Sequence, residues 1–188
     1  MPLKLCSNLV QTLAAELRVL AVALATFALT GCINSAAPIL GDAKAILGDR
    51  IQVHFFSLAN KDGSRDHTTA VFEWNGSRYL PLGTAAGDWS EFTVHPYEGR
   101  DFIVQTRQQR GAKATEYALA RRLSEGLYLV MPISEEDADE PTRERFCTKT
   151  QDSPCRIATP EQLFVFARAT AAKDEEAGGI AVIIPTTR

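Results

Sequence analysis

The chain has 188 residues, with 20 lysines and arginines against 23 aspartates and glutamates, so its formal net charge at neutral pH is -3. A nucleic-acid-binding protein would cluster lysine and arginine on one face, and no such basic block occurs here. The length is sufficient for one domain with an ordinary core, but hardly for two.

Residues 1–31 have the pattern of a bacterial signal peptide. Lys4 and Arg18 precede an apolar run over residues 19–29. This run is too short for a transmembrane helix, which needs about 20 apolar residues. We therefore expect an export signal that is removed from the mature protein.

The apolar run ends in Leu29, Thr30, Gly31 and Cys32, and these four residues resemble the lipobox of bacterial lipoproteins. The resemblance implies cleavage before Cys32, which would carry the lipid anchor with acyl chains such as palmitate. Several acyl chains attach a protein stably, whereas one chain binds a membrane only marginally. Ile33 stands where an aspartate would mark retention, which favours the outer membrane, facing the periplasm, over the inner membrane.

Two cysteines remain after the signal peptide and the lipidated residue are set aside. Cys147 and Cys155 then have a single connectivity in an oxidising compartment, so we predict a disulfide around a polar loop. Their C-x7-C spacing lacks the C-x2-C geometry of zinc ribbons and thioredoxin-like sites. The pair is therefore interpreted as structural, with no metal.

Residues 32–50 are expected to form the lipidated cysteine and a tether. They contain Pro38 and two copies of the sequence Ile-Leu-Gly-Asp, and the glycine in each copy argues against a long helix. Residues 51–188 are then a single periplasmic domain.

Apolar alternation predicts about six to seven strands followed by a final short one. The segments are 51–58, 70–80 with its turn, 91–94, 102–106, 116–122, 127–133 and 180–184. The loops between most of them are too short for a crossover helix, so we expect a mainly antiparallel sheet in meander order.

The dipeptide Asn75-Gly76 is the strongest turn signal in the chain. Asn-Gly favours a two-residue type I′ hairpin. That turn would place Glu73 opposite Arg78 and Phe72 opposite Tyr79.

A C-terminal α-helix is predicted from its first residues. Thr159 is placed to cap it, Pro160 suits the first helical position, and Gln162 completes a capping box. Leu163 and Phe166 lie on the face that should pack on the sheet. The expected fold class is α+β, with this helix on a mainly antiparallel sheet and the short strand last.

No motif after Cys32 assembles catalytic chemistry. His54, His67 and His95 lack the spacing of a helical metal motif such as H-E-x-x-H, and we interpret them as surface or strand-edge residues. Ser90 and Ser124 lack the glycines of a nucleophile elbow. We predict no catalytic residue, no metal and no cofactor.

Two further features have plain structural interpretations. Residues 135–140 are densely acidic but lack the order of an EF-hand, so a solvated loop is expected. Trp89 has a loop-like context that would suit stacking on a sugar ring. Since most aromatic residues fill cores, we do not expect glycan binding.

The predicted function is that of a membrane-anchored envelope lipoprotein. It would act as a non-catalytic binding or scaffolding module in the periplasm, attached to the membrane through its N-terminal lipid and open to an envelope protein partner. The alternative is a small envelope hydrolase acting on a cell-wall or small-molecule substrate. Its site would assemble only in three dimensions, with His54, His95 and the acidic segment 135–140 as candidates.

Overall fold

The computed structural model describes residues 33–58, 66–83, 90–107, 114–150, 153–173 and 177–186. The described residues belong to one compact unit, residues 31–188. The proposed lipobox, Leu29 to Cys32, and the aromatic Trp89 lie outside the described residues.

The described residues form short β-strands and a few helices. The strands are β1 (Asn34–Ser35), β2 (Arg50–Ser57), β3 (His67–Trp74), β4 (Tyr79–Pro81), β5 (Glu91–Pro96), β6 (Asp101–Arg107), β7 (Thr115–Ser124), β8 (Leu127–Pro132), β9 (Thr148–Thr150), β10 (Ser153–Arg156) and β11 (Gly179–Pro185). The helices are a 3-10 turn (Glu135–Asp137), α1 (Glu140–Phe146) and α2 (Pro160–Ala172). None of these helices combines the length and the apolar composition needed to cross a membrane.

Eight of the strands close into a barrel. Strands β2 to β8 follow one another as antiparallel neighbours, and β11 lies between β8 and β2, antiparallel to both. The predicted antiparallel meander is confirmed. The expectation of an open sheet with two free edges is wrong, because the strands form a closed barrel. The sheet closes because the final strand pairs on both of its edges, which leaves the barrel without a free edge.

Neighbouring residues of β7 face opposite sides of the barrel wall. Tyr117 and Leu119 are buried on the outside, in one cluster with Leu163 and Phe166 of α2. Ala118, between them, faces the interior. The predicted packing of the C-terminal helix on the sheet is confirmed, and the wall carries apolar residues on both of its faces.

Helix α2 begins as predicted and is fixed to the barrel near its end. The Thr159 hydroxyl accepts a hydrogen bond from the N–H of Gln162, whose Oε1 accepts one from the N–H of Thr159, so the capping box is complete. Arg121 donates to both carboxylate oxygens of Asp101, at 2.9 and 3.0 Å, and to the carbonyl of Ala171 at 3.2 Å. The helix is thereby attached to β6 and β7.

The segment before β2 was assigned to a tether from the sequence, but its residues 33–40 pack along the outside of the barrel. Ile33 is fully buried, and β1 pairs with both β7 and β10. The Gln105 side-chain oxygen accepts hydrogen bonds from the N–H groups of Ile39 and Leu40, at 3.1 and 3.2 Å. These described residues therefore belong to the folded unit.

The β3–β4 hairpin differs in register from the prediction. Trp74 lies opposite Tyr79, with ring centroids 5.0 Å apart, and residues 75–78 form the connection. Phe72 lies opposite Pro81. The predicted pairing of Phe72 with Tyr79 is therefore wrong by two residues.

The chemistry of the turn explains this difference. A type I′ turn needs positive φ at both central residues; Gly76 has φ 96°, but among the described residues only glycines have positive φ, so Asn75 does not. The Asn75 side-chain oxygen instead accepts hydrogen bonds from the N–H groups two and three residues later. Arg78 forms an ion pair with Glu91 at 2.6 Å, and its predicted pairing with Glu73 is wrong.

The acidic segment 135–140 is ordered into helical turns, so the predicted solvated loop is wrong. The Thr170 hydroxyl of α2 donates to the Asp137 carboxylate at 2.6 Å. The Asp139 carboxylate caps α1 by accepting a hydrogen bond from the N–H of Thr142. Asp139 thus caps a helix, and Asp137 contacts α2.

Cys147 and Cys155 form the predicted disulfide, with their Cα atoms 4.6 Å apart. It joins the end of α1 to β10, and Cys155 is fully buried in the cluster beneath α2. The bond therefore fixes the β9–β10 hairpin to the outer layer of the barrel.

Replacing both cysteines with serine is expected to lower the free energy of unfolding by about 2.5 kcal/mol, because the unfolded chain is then no longer closed into a ring of about nine residues. Denaturant unfolding of the double variant and of the wild type measures the difference. The reduced wild type should resemble the variant. Equal stability of the oxidised and reduced wild type would show that the bond does not stabilise the fold.

Candidate functional site

One part of the barrel interior is filled by aromatic side chains. Phe72 and Tyr79 are fully buried, and each ring contacts that of Phe92, with centroids 4.9 and 5.0 Å apart. The Tyr79 hydroxyl accepts a hydrogen bond from the N–H of Leu47 and donates one to the carbonyl of Gly48. The turn before β2 is thereby held against this part of the interior.

Beside this cluster the interior is hollow, with a cavity of about 380 Å³. The wall there includes the small residues Ala118, Ala120 and Ala181, opposite Val104, Val130 and Tyr128 across the paired strands. Because an alanine methyl extends only a short way from the wall, these positions leave space at the centre. The lining is Leu47, Val53, Phe55, Ser90, Phe92, Val94, Phe102, Val104, Thr106, Glu116, Ala118, Ala120, Tyr128, Val130, Ala181 and Ile183.

The polar side chains of this lining are unevenly distributed. Apart from the Tyr128 phenol, they are Ser90, Thr106 and Glu116. Thr106 lies directly opposite Glu116 and also opposite Phe92, two residues after Ser90. These three groups therefore lie at one end of the cavity, where β5 and β7 begin and β6 ends.

Glu116 is the ionisable carboxyl of this lining. Burial raises its pKa above the usual value of 4.5, because a low-dielectric environment disfavours the carboxylate. Its protonated form can donate a hydrogen bond into the cavity, whereas its ionised form can only accept one or pair with a cation.

Glu116→Gln is expected to remove a pH dependence of stability. Because the folded pKa is raised, stability linked to the protonated carboxyl is fully present below pH 4.5 and is lost as the pH rises through the folded value. The stability of the wild type relative to the variant should fall over that window. Denaturant unfolding of both proteins between about pH 4 and pH 8 measures this change in relative stability. A difference between wild type and variant that does not change with pH would contradict the raised pKa of Glu116.

The three histidines are not brought together. His54 and His67 meet on the outer face of β2 and β3, with Nδ1 and Nε2 3.2 Å apart. His95 is on β5, which is not a neighbour of either strand, and its Nε2 lies 2.9 Å from the Thr93 hydroxyl. Burial lowers the pKa of His95. The three histidines, all of them described residues, therefore do not form one group.

Glu135 lies beside the disulfide, with a carboxylate oxygen 3.8 Å from the sulfur of Cys147. Ligand atoms of Glu135, Cys147 and Cys155 all lie within 4.8 Å of one another. The thiolate is the form that binds metals, and both cysteines are oxidised. This group is therefore a structural contact and not a metal site while the disulfide is intact.

Two further aromatic residues, Tyr97 and Trp74, contribute to packing. The Tyr97 hydroxyl donates to the carbonyl of Phe164 in α2 at 3.1 Å. Trp74 packs against Tyr79 at the edge of the aromatic cluster. Neither residue lines the cavity.

Comparison with models of protein families, with curated proteins and with solved structures gave no match to this chain. The cavity and its polar end are the features of the described residues that suggest a ligand-binding site.

Proposed function

We propose that this protein binds a small, elongated amphiphile inside its barrel, as a non-catalytic binding module of the bacterial envelope. One observation carries the proposal: the apolar cavity of about 380 Å³ has Ser90, Thr106 and Glu116 together at one end. An apolar chain would lie along the cavity, and its polar head would meet these three side chains.

The size and lining of the cavity support this proposal. Ligand pockets have volumes of roughly 300–1,000 Å³ and are mostly apolar with a few polar groups that orient the ligand. An eight-stranded barrel is just wide enough to be filled by side chains or to hold one small ligand. Here Ala118, Ala120 and Ala181 leave part of it unfilled. Because fold alone does not determine function, it is this lining that favours an amphiphile.

Glu116 determines which head group would fit. A half-buried carboxyl with a raised pKa accepts a cation when it is ionised and donates a hydrogen bond when it is protonated. An anionic head would repel the ionised form in a region of low dielectric, where like charges interact strongly. We therefore expect an amphiphile with a neutral or cationic head.

A matched series of ligands tests this proposal. Decylamine, decanol and decanoate share one alkyl chain and differ in head charge. Calorimetric titration below the micelle concentration should give one site per chain for the amine and the alcohol, with decanoate weaker. Glu116→Gln should reduce the preference for the amine over decanoate. If none of the three binds, or all bind equally to wild type and variant, the proposed site is excluded.

We further propose that the protein is a lipoprotein anchored through Cys32, at the outer membrane and facing the periplasm. The resemblance of Leu29, Thr30, Gly31 and Cys32 to a lipobox supports this. Ile33 is fully buried in the outer layer of the barrel. A lipid on Cys32 would thus be one residue from the folded unit, and the barrel would be held close to the membrane surface.

Cys32→Ser is expected to abolish lipidation, so that the protein leaves the membrane fraction or keeps its signal peptide. Fractionation of cells with mass measurement of the purified protein shows either result. Cys6→Ser is the matched control and should be processed normally. Normal processing and membrane attachment of Cys32→Ser would contradict the proposal.

The hydrolase alternative gains no support from the described contacts. His54 and His95 lie on non-adjacent strands. In the acidic segment 135–140, Asp139 caps α1 and Asp137 contacts α2. A scaffolding role with an envelope protein partner is compatible with a ligand-filled barrel, and the ligand titration tests ligand binding alone.

A further inference from the structure

His54 and His67 form a compact group with Thr69 on the outer face of the barrel. Nδ1 of His54 lies 3.2 Å from Nε2 of His67. The Thr69 hydroxyl lies 3.0 Å from the first nitrogen and 3.2 Å from the second. Three potential ligand atoms thus form a nearly equilateral triangle on the surface.

These distances match those between donors that share one metal ion. Two imidazole nitrogens at about 2.0–2.1 Å from one ion are about 2.9 Å apart at the right angles of square-planar coordination and about 3.3 Å apart at tetrahedral angles. The observed separation of 3.2 Å lies within this range. The ring planes are 9° apart and the centroids 5.5 Å apart, so both side chains must rotate before one ion can contact the two nitrogens.

Neighbouring residues restrict the motion of the two rings. Phe56 stacks on His67, with ring centroids 4.3 Å apart and an angle of 5° between the planes. His54 lies directly opposite Thr69 in the paired strands β2 and β3. His54 is on β2, which pairs with β3 and β11, and His67 is on β3, which pairs with β2 and β4. Both histidines are therefore on paired strands of a closed barrel. Less side-chain freedom is then lost when an ion binds.

We propose that His54 and His67 bind one divalent transition-metal ion on the outside of the barrel, with Thr69 and water completing its coordination. Imidazole suits copper, nickel and zinc, whereas magnesium and calcium prefer oxygen ligands. The stability order of divalent ions places copper(II) above both nickel and zinc. We therefore expect copper(II) to bind most tightly and magnesium not to compete.

Binding requires a change of tautomer in one ring. In the hydrogen bond between the two nitrogens, one nitrogen carries a proton and the other accepts it. Both must present a lone pair to the ion, so the donor ring moves its proton to its other nitrogen through solvent. The move only relocates a proton within one ring, and no redox step is involved.

Copper(II) titration of the purified protein without a histidine tag tests this site. Electron paramagnetic resonance should show one copper ion with two imidazole nitrogens. Because loss of an outer-shell partner alone weakens metal binding about 10–100-fold, His54→Ala and His67→Ala should each weaken it by at least about tenfold. His95→Ala is the matched control and should bind as the wild type does.

Each outcome of this titration is informative. Equal weakening by His54→Ala and His67→Ala, with excess magnesium having no effect, supports the site. Copper binding that persists in the double variant, or its absence in the wild type, overturns it. A single cooperative unfolding transition of each variant without metal excludes misfolding as the cause of weaker copper binding. Because the site is outside the barrel, Ala118→Phe inside the cavity should leave copper binding unchanged, so this proposal and the cavity proposal fail independently.

Discussion

Phe166→Ala should lower the free energy of unfolding by about 3–5 kcal/mol. Phe166 is fully buried between α2 and the outer face of the barrel, in the largest described apolar cluster. Removing its ring leaves a cavity that the paired strands of a closed barrel cannot collapse to fill. An effect of this size is a large part of the total stability of a single domain, about 5–15 kcal/mol.

The control for this variant is Phe56→Ala, which removes the same ring from a site that is 39% exposed. Phe56 mainly stacks on His67, and such a pair contributes about 0.5–1.5 kcal/mol. Denaturant unfolding of both variants measures the contrast. If both variants lost the same free energy of unfolding, Phe166 would not be buried between α2 and the barrel as described.

Ala118→Phe should weaken binding of the amphiphile by roughly 70-fold. A phenylalanine ring at this position would occupy part of the cavity and exclude about 100 Å² of ligand surface, which at about 25 cal/mol per Å² corresponds to about 2.5 kcal/mol. The ring replaces a methyl group that faces the cavity of about 380 Å³. The fold should therefore tolerate the substitution.

Leu123→Phe is the control for Ala118→Phe. It adds an aromatic ring to the same strand, β7, at a side chain that is 45% exposed. Titration with decylamine should give wild-type affinity for the control and weak binding for Ala118→Phe. Unchanged affinity in Ala118→Phe, with the fold intact, would place the ligand outside the barrel.

Local sequence signals predicted the parts of the fold that depend on local chemistry. The capping box of Thr159 and Gln162 acts over three residues, and it forms as expected. The cysteine pair had one connectivity, and it forms. The Asn75-Gly76 signal predicted a turn but gave the wrong register, because the Asn75 side chain bonds to the following backbone instead of adopting positive φ.

Closure of the barrel could not be deduced in this way. It depends on β11, where Ala181 lies opposite Phe55 on one side and Tyr128 on the other. These contacts join residues more than fifty positions apart in the chain. An apolar segment such as β11 predicts a buried strand, but it does not specify its partners.

The cavity was missed for a related reason. Along β7, the outward residues Tyr117 and Leu119 are buried beneath α2, while the inward Ala118 faces the cavity. Both faces are therefore apolar, and alternation does not show which one is the interior. Glu116 was predicted only as the first residue of a strand. A carboxyl that begins a strand apolar on both faces is the signal that could have identified it.

Nuclear Overhauser contacts between a bound amphiphile and the protein methyl groups would locate the ligand. With decylamine bound, we expect contacts from the alkyl chain to the methyls of Val104, Ala118 and Ala181, which line the cavity. The exposed methyls of Leu123 should show none. Contacts confined to Leu123 and other surface methyls, with none to the three cavity residues, would contradict a ligand site inside the barrel.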